Sequence, residues 1–252
     1  MKISIITATF NSEKTLRDTI ESVLKQTYTN FEYLIVDGAS KDQTLSIIKE
    51  YEPRFGGRLK YISEQDRGIY DAMNKGFQMA NGDVLSLINS DDFLCDDYAL
   101  EKVVNTFKKN PKTDGVYADL YYVSQNNTDI IIRKWVSGKQ KPFANGWLPA
   151  HPTFYVKREC YEKYGYFKLD YELAADFELM LRFVECNHIK LTYLPEPLVK
   201  MRLGGATSKN IWNIVKQGCE CMKAFKDNNV PVSFLYPLYR YYSKIHQFFR
   251  SV

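Results

Sequence analysis

The chain has 252 residues, of which 45% are hydrophobic and 15% aromatic, a balance that excludes a disordered polymer and suits one packed domain or one domain with an appendage. Its formal charge of +4 is uneven: from Lys200 onward nine Lys/Arg face only Glu220 and Asp227, so a nucleic-acid-coated domain is excluded and a local anionic surface is the partner expected of the basic end. Five scattered cysteines with no CxxC pair exclude a disulfide framework and argue against a zinc site.

The first apolar run, Ile3 to Thr9, reads as a buried strand and is too short for a secretory core; no run of about 18 apolar residues follows, so the protein is expected to stay in the cytoplasm. Asn11-Ser12 then supplies a helix cap, and Leu16, Ile20, Val23 and Leu24 set one apolar face of a helix over about 13–26. The pattern repeats with a strand at Tyr33–Val36, Asp37-Gly38-Ala39-Ser40 and a helix to Tyr51, then with a strand at Leu59–Ile62, a polar loop at Glu64–Gly68 and a helix over 69–80. Strands apolar on both faces and alternating with helices predict an α/β fold with a mainly parallel sheet.

The fourth strand, Val84–Ile88, delivers Asn89-Ser90-Asp91-Asp92. Clustered carboxylates at a sheet's carboxyl end are hard oxygen ligands placed where α/β folds bind ligands, which reads as a site for a metal and a diphosphate. Beyond a helix at 98–109 the chain turns β-rich, with strands at Gly115–Ala118 and Tyr121–Val123 and a return arm at Ile130–Ile132. A long ordered loop over 137–149, near Trp135 and carrying Phe143 and Trp147, leads to a strand at His151–Val156, a short helix ending near Gly165, a helix from Ala174 and a strand at Ile189–Leu194. Such loops line clefts, which makes Trp147 and His151 candidate acceptor or phosphate contacts. The tail over 234–250 interleaves aromatics with Arg240, Lys244 and Arg250 and contains no acid; it suits an interfacial helix on an anionic membrane leaflet, or packing on the core or on a second copy as a homodimer.

Five stretches in this order resemble the family 2 inverting nucleotide-sugar glycosyltransferases of bacterial surface-polysaccharide type: Ile5 to Asn11, Val36 to Thr44, Asp66 to Gly76, Asn89 to Asp92, and Ala175-Asp176-Phe177-Glu178. The resemblance implies the GT-A fold, Rossmann-like with helices flanking the sheet and a C-terminal helical extension. The implied division is a glycosyltransferase domain over 1–215, with a nucleotide half at 1–92 and an acceptor half at 93–215, followed by a basic aromatic helical tail at 216–252. It also implies transfer of a sugar from a nucleotide diphosphate donor, UDP by default, to a hydroxyl of a glycan or polyprenyl-linked acceptor, by a cytoplasmic enzyme peripheral on the inner face of the cell membrane.

The resemblance assigns Thr7, Thr9, Asn11, Asp37, Asp66, Asp71, Asn89 and Ser90 to the nucleotide, with Asp37 accepting from the base N–H and Asp66 lying over the base or ribose. The family's D-x-D is Asn89-Ser90-Asp91 here, so Asp91 carries the Mn2+ or Mg2+ ligation. The family's Glu-Asp pair is Ala175-Asp176, which leaves Asp176 as the general base with Glu178 in support. Arg202, Gly204-Gly205 and Ser208 resemble the loop that closes over the diphosphate. Each assignment has a structural counterpart: a helix cap for the 89–92 cluster and for Asp176, an Asx turn for Asp37, a satisfied hydrogen bond for His151. Two other functions fit the same outline. A sugar nucleotidyltransferase also uses carboxylate-bound metal but calls for a Gly-rich basic phosphate loop after the first strand, where this chain has Thr9-Phe10-Asn11; an inactive nucleotide-sugar-binding subunit is consistent with Asn89 and Ala175.

Overall fold

A computed structural model describes residues 1–204, 211–237 and 239–240. The strands are β1 (Ile3–Thr9), β2 (Phe31–Asp37), β3 (Leu59–Ser63), β4 (Val84–Leu87), β5 (Phe93–Leu94), β6 (Gly115–Val123), β7 (Ile131–Trp135), β8 (Tyr155–Lys157) and β9 (Leu191–Arg202). The helices are α1 (Leu16–Leu24), α2 (Thr44–Tyr51), α3 (Ile69–Met79), α4 (Ala99–Lys109), α5 (Arg158–Tyr164), α6 (Ala175–Leu181) and α7 (Ile211–Asp227).

One sheet runs β3-β2-β1-β4-β8-β6-β9-β5, with β7 paired to β6. Strands β3, β2, β1 and β4 are parallel; β8 lies antiparallel between β4 and β6, and β6 pairs in parallel with β9. Alternation along the strands feeds two cores, as the period of two requires. Ile3, Ile5, Tyr33 and Ile35 face α1, α2 and α4, while Ile6, Ala8, Leu34 and Val36 face α3, α6 and α7. The α/β sandwich expected from the sequence is the observed fold.

The differences lie in the second half. The expected strand pair at 115–118 and 121–123 is one strand, β6. The strand expected to stop before Pro195 continues to Arg202, because the register between β6 and β9 jumps from Ala118↔Leu194 to Asp119↔Pro197, a bulge that frees Pro195 from donating to the ladder. The strand expected from His151 starts at Tyr155, since His151–Thr153 form a short helical turn with Pro152 in its first positions. Helix α7 starts at Ile211, ahead of the expected tail boundary at 216, and buries Cys221, Ala224 and Phe225 beside Phe177 and Tyr236. Most of the aromatic tail, 241–252, lies outside the described residues. Among the described residues no helix is long and apolar enough to cross a membrane.

Candidate active site

Strand β1 sits between β2 and β4, so the chain reverses its direction of travel across the sheet there and leaves a crevice beyond the carboxyl ends. The turns after β1 and β4 are tied together across it: the hydroxyls of Ser12 and Ser90 lie 2.9 Å apart, Thr15 Oγ1 donates to the Ser90 carbonyl at 2.9 Å, and Thr19 Oγ1 to that of Asp92 at 2.6 Å. Thr7 is wholly buried, bonded to the Ile88 carbonyl at 2.8 Å and near Tyr33 Oη at 3.0 Å, so its hydroxyl serves the core. Thr9, at the strand's end, has a buried Oγ1 with no hydrogen-bond partner among the described residues. Asn11 adopts a left-handed φ of 50°, which asparagine tolerates, and links the turns after β1 and β2 by bonds to Ser40 Oγ and Lys41 N–H.

Asp37 ends β2 fully buried, accepting from Ser40 N–H at 3.2 Å, from the Ser40 hydroxyl and from Ser63 Oγ at 2.6 Å. It is therefore the Asx turn that the sequence offered as one of its two readings. Beside it, the Asp66 carboxylate closes over Gly38, and the exposed Phe10 ring flanks the same spot; Asp66 Oδ1 accepts from Gly68 N–H at 2.9 Å. An aromatic ring and a carboxylate thus meet over Gly38, just past the carboxyl end of β2. Asp71 accepts from Arg67 Nη2 and Arg67 N–H at 3.0 Å each, and these bonds hold its carboxyl below the usual range. Its observed work is to start α3.

In the 89–92 turn the side chains divide. Asn89 Nδ2 donates to Asp92 Oδ2 at 2.8 Å, and Asp92, almost fully buried, also accepts from Arg202 N–H; burial and the neighbouring Asp91 charge push its carboxyl well above the usual range. Asp91 is half-buried, and no hydrogen bond or ion pair engages its carboxylate among the described residues. The described residues contain no cluster of three or more His, Cys, Asp or Glu that holds a metal. The donor set fits a divalent cation carried by one carboxylate together with substrate phosphates, a familiar arrangement for Mg2+, and not an all-protein cage.

Asp176, in the second half of the chain, meets the start of α3 through Tyr70. Asp176 is the second residue of α6, whose cap position is Ala174 with no side-chain cap, so the capping alternative for Asp176 does not hold. His151 Nδ1 lies 3.6 Å from Asp176 Oδ2, and Tyr70 Oη 3.5 Å from Oδ1. Burial pushes the His151 imidazole below its usual range, opposed by the charges of Asp176 and Asp91. Burial and the Asp176 charge push the Tyr70 hydroxyl well above its usual range, so Tyr70 remains an O–H donor. Glu178, fully buried, accepts from Arg182 Nε at 3.0 Å, Lys168 Nζ at 2.8 Å and Asn228 Nδ2 at 3.1 Å; burial opposes its charge, but these partners outweigh it and lower its carboxyl.

Two residues stand elsewhere than expected. Trp147 is buried, its Nε1–H donating to the Ser137 carbonyl at 2.8 Å and its ring packed edge-on against Phe143 and Tyr117, because the loop folds inward to satisfy the indole. Arg202 belongs to the end of β9 and not to an open loop: its guanidinium bonds the Asp91 carbonyl and Asp18 and lies over the Phe93 ring, which makes it a brace of the 89–92 turn. Ser208 lies outside the described residues. Tyr70 went unassigned in the sequence although it stands inside the 66–76 stretch; only the fold shows that the start of α3 reaches α6.

A family model described as "Glycosyl transferase family 2" matches residues 4–170. The chain is 30% identical over 182 residues to the PGL/p-HBAD biosynthesis glycosyltransferase of Mycobacterium bovis (strain BCG / Pasteur 1173P2), covering 71% of this chain and 68% of that protein. Among solved structures, S. aureus TarS 1-349 in complex with UDP-GlcNAc superposes with a TM-score of 0.67 at 18% identity, over 90% of this chain and 73% of that one; the chain spans 37% of the longer TarS structure. The mannosyltransferase PcManGT from Pyrobaculum calidifontis, in complex with GDP-Man and Mn2+, superposes with a TM-score of 0.66 at 16% identity, over 96% of this chain and 73% of that one.

Proposed function

The chain belongs to glycosyl transferase family 2, and on that premise we propose that it moves a sugar from a nucleoside diphosphate sugar to a hydroxyl of a glycan or lipid-linked acceptor, with inversion at the anomeric carbon. The observation that carries this reading is the meeting of Tyr70 Oη with Asp176 Oδ1 at 3.5 Å, across 106 positions of sequence. It sets the carboxylate of α6 against the start of α3, just beyond the carboxyl end of β3.

The acceptor hydroxyl sits at Asp176, which takes its proton as the oxygen attacks the anomeric carbon; the bond from that carbon to the diphosphate oxygen breaks on the opposite face, and the nucleoside diphosphate leaves. Tyr70 and His151 flank the carboxylate and hold it in one orientation. The slot of Phe10, Gly38 and Asp66 receives the nucleoside, the Thr9 hydroxyl finds its missing partner there, and the tied turns at 12–15 and 89–92 hold the diphosphate. Asp91 would hold a divalent cation, which when bound would supply Lewis-acid neutralisation of the leaving diphosphate. UDP is the default nucleotide, in keeping with the UDP-GlcNAc bound by TarS. A lipid-linked acceptor brings the chain to a membrane surface, where the basic tail at 234–250 is the contact.

The test is turnover of UDP-, GDP- and dTDP-sugars with and without Mn2+ across an acceptor panel, with the anomeric configuration of the product read by NMR. Asp176→Asn abolishes transfer and keeps nucleotide binding; Asp91→Ala weakens the metal-dependent part of donor binding. Wild-type turnover by Asp176→Asn removes the base assignment. Tight donor binding with neither transfer nor hydrolysis identifies a binding subunit, and pyrophosphate release from nucleoside triphosphate plus sugar phosphate identifies a nucleotidyltransferase.

A further inference from the structure

The start of α6 has no cap of its own, yet the backbone leading into it is among the best satisfied in the chain. Glu220, on α7 and nearly buried, accepts from three consecutive main-chain N–H groups: Glu172 at 3.1 Å, Leu173 at 2.8 Å and Ala174 at 2.9 Å. Ala174 in turn gives its carbonyl to Glu178 N–H at 3.0 Å, the first turn of α6. Two residues after Ala174 stands Asp176.

Other α7 side chains grip the same segment. Gln217 Nε2 donates to the Leu173 carbonyl at 3.3 Å, Lys216 and Lys223 pair with Glu172 and Asp170, and Asp227 accepts from Tyr171 Oη at 2.7 Å. The two lysine pairs are exposed and contribute little. The Glu220 contact differs in kind, because a charged acceptor shared among three backbone donors is strong, and its removal leaves those donors unpaired beside a buried core. Nothing else described holds the 172–174 backbone at so many points.

We propose that Glu220 is a positioning residue for transfer: its carboxylate fixes the backbone from which α6 starts and thereby sets where Asp176 meets the acceptor hydroxyl. The proposal rests on the reading of Asp176 as the base. Glu220, like Asp176, lies beyond the residues matched by the family model, 4–170. Donor binding draws on the carboxyl ends of β1, β2 and β4 and is independent of it.

Glu220→Gln and Glu220→Ala are compared with Asp176→Asn, using UDP-N-acetylglucosamine or GDP-mannose, whichever the wild-type protein turns over, with Mn2+. Rates are expressed per nucleotide-binding site titrated with UDP or GDP, so that an unfolded fraction does not count. Because a displacement of about 1 Å at a reacting group costs about 100-fold, Glu220→Ala lowers kcat by about that factor while donor KM and nucleotide Kd stay within about twofold; Glu220→Gln, which keeps the shape and one acceptor oxygen, falls between. A Glu220→Ala chain with kcat within about threefold of wild type overturns the proposal, and so does a parallel loss of nucleotide affinity, which marks a general scaffold role. Should Glu220→Ala not fold, the isosteric Gln variant decides by the same criteria. A Glu220 variant at wild-type rate beside an inactive Asp176→Asn refutes the positioning role alone, whereas an active Asp176→Asn refutes the base assignment.

Discussion

Gly38→Ala is a perturbation of one methyl group whose consequence is confined to the nucleoside slot. A Cβ built at Gly38 lies 2.5 Å from Asp66 Oδ2 and 3.4 Å from the Phe10 ring. Gly38 is not among the positive-φ residues, so alanine meets no backbone strain, and it gains about 0.4–1 kcal/mol from the less flexible unfolded chain. The obstructing atom is the tip of a side chain, so Asp66 swings aside and gives up the bond from Gly68 N–H. A hydrogen bond to a charged group is worth about 1.5–3 kcal/mol, and half-exposed Asp66 sits at the low end, so net stability changes by less than about 1 kcal/mol. Nucleotide affinity carries the loss: about 1.5 kcal/mol, or close to tenfold, for UDP by isothermal titration. Asp66→Ala costs a similar amount, and because both changes remove one contact the double variant costs no more than either single one. Additive losses, or unchanged UDP affinity in Gly38→Ala beside weakened affinity in Asp66→Ala, refute the slot.

Gly76→Ala destabilises the chain by about 1–2 kcal/mol in urea titration, since the added methyl runs into Ile6 Cγ2 and overpacking of about 1–3 kcal/mol outweighs a helix-propensity gain of about 1 kcal/mol; a stabilised variant contradicts the close approach of α3 to β1. Glu178→Ala leaves Arg182 and Lys168 without their shared buried partner and costs about 3 kcal/mol by the same measurement. For His151 the folded-state pKa lies below the ordinary 6.5, so the unfolded chain binds the proton first; its share of stability is whole above pH 6.5 and declines as pH falls from there towards the folded value. His151→Gln removes that part of the slope, and an unchanged pH profile of the denaturation midpoint sinks the assignment.

Strands β1, β2 and β4 were legible as short, mostly apolar runs bounded by turn residues, and the edge strand β3, with Lys60 exposed, by its place in the alternation with helices. The place of Asp91 in the turn after β4 follows from the same pattern. The bonding of Asp71 and Trp147 was not legible, because sequence position gives a residue's address and not its partners: Arg67 engages the one, and the Ser137 carbonyl accepts from the other. Arg202 misled because Pro195 reads as a strand end, whereas the bulge opposite Asp119 carries the strand seven residues further. Glu220 gave no signal at all, since its partners are main-chain groups 46 to 48 positions away.

Strand β9 also sets the order in which the molecule can be finished. The first four strands close among themselves using residues 3–87, so that unit can form while the rest is still being synthesised. The 89–92 turn cannot, because β5 waits for Val199 and Lys200, and the bond from Arg202 to the Asp91 carbonyl spans 111 positions. Contacts of such sequence separation form late. A nascent chain therefore orders the carboxyl ends of β1 and β2 well before the 89–92 turn, and pulsed hydrogen exchange during refolding registers protection at Ile5 and Ile35 ahead of Cys95, whose N–H donates to the Leu198 carbonyl at 2.9 Å.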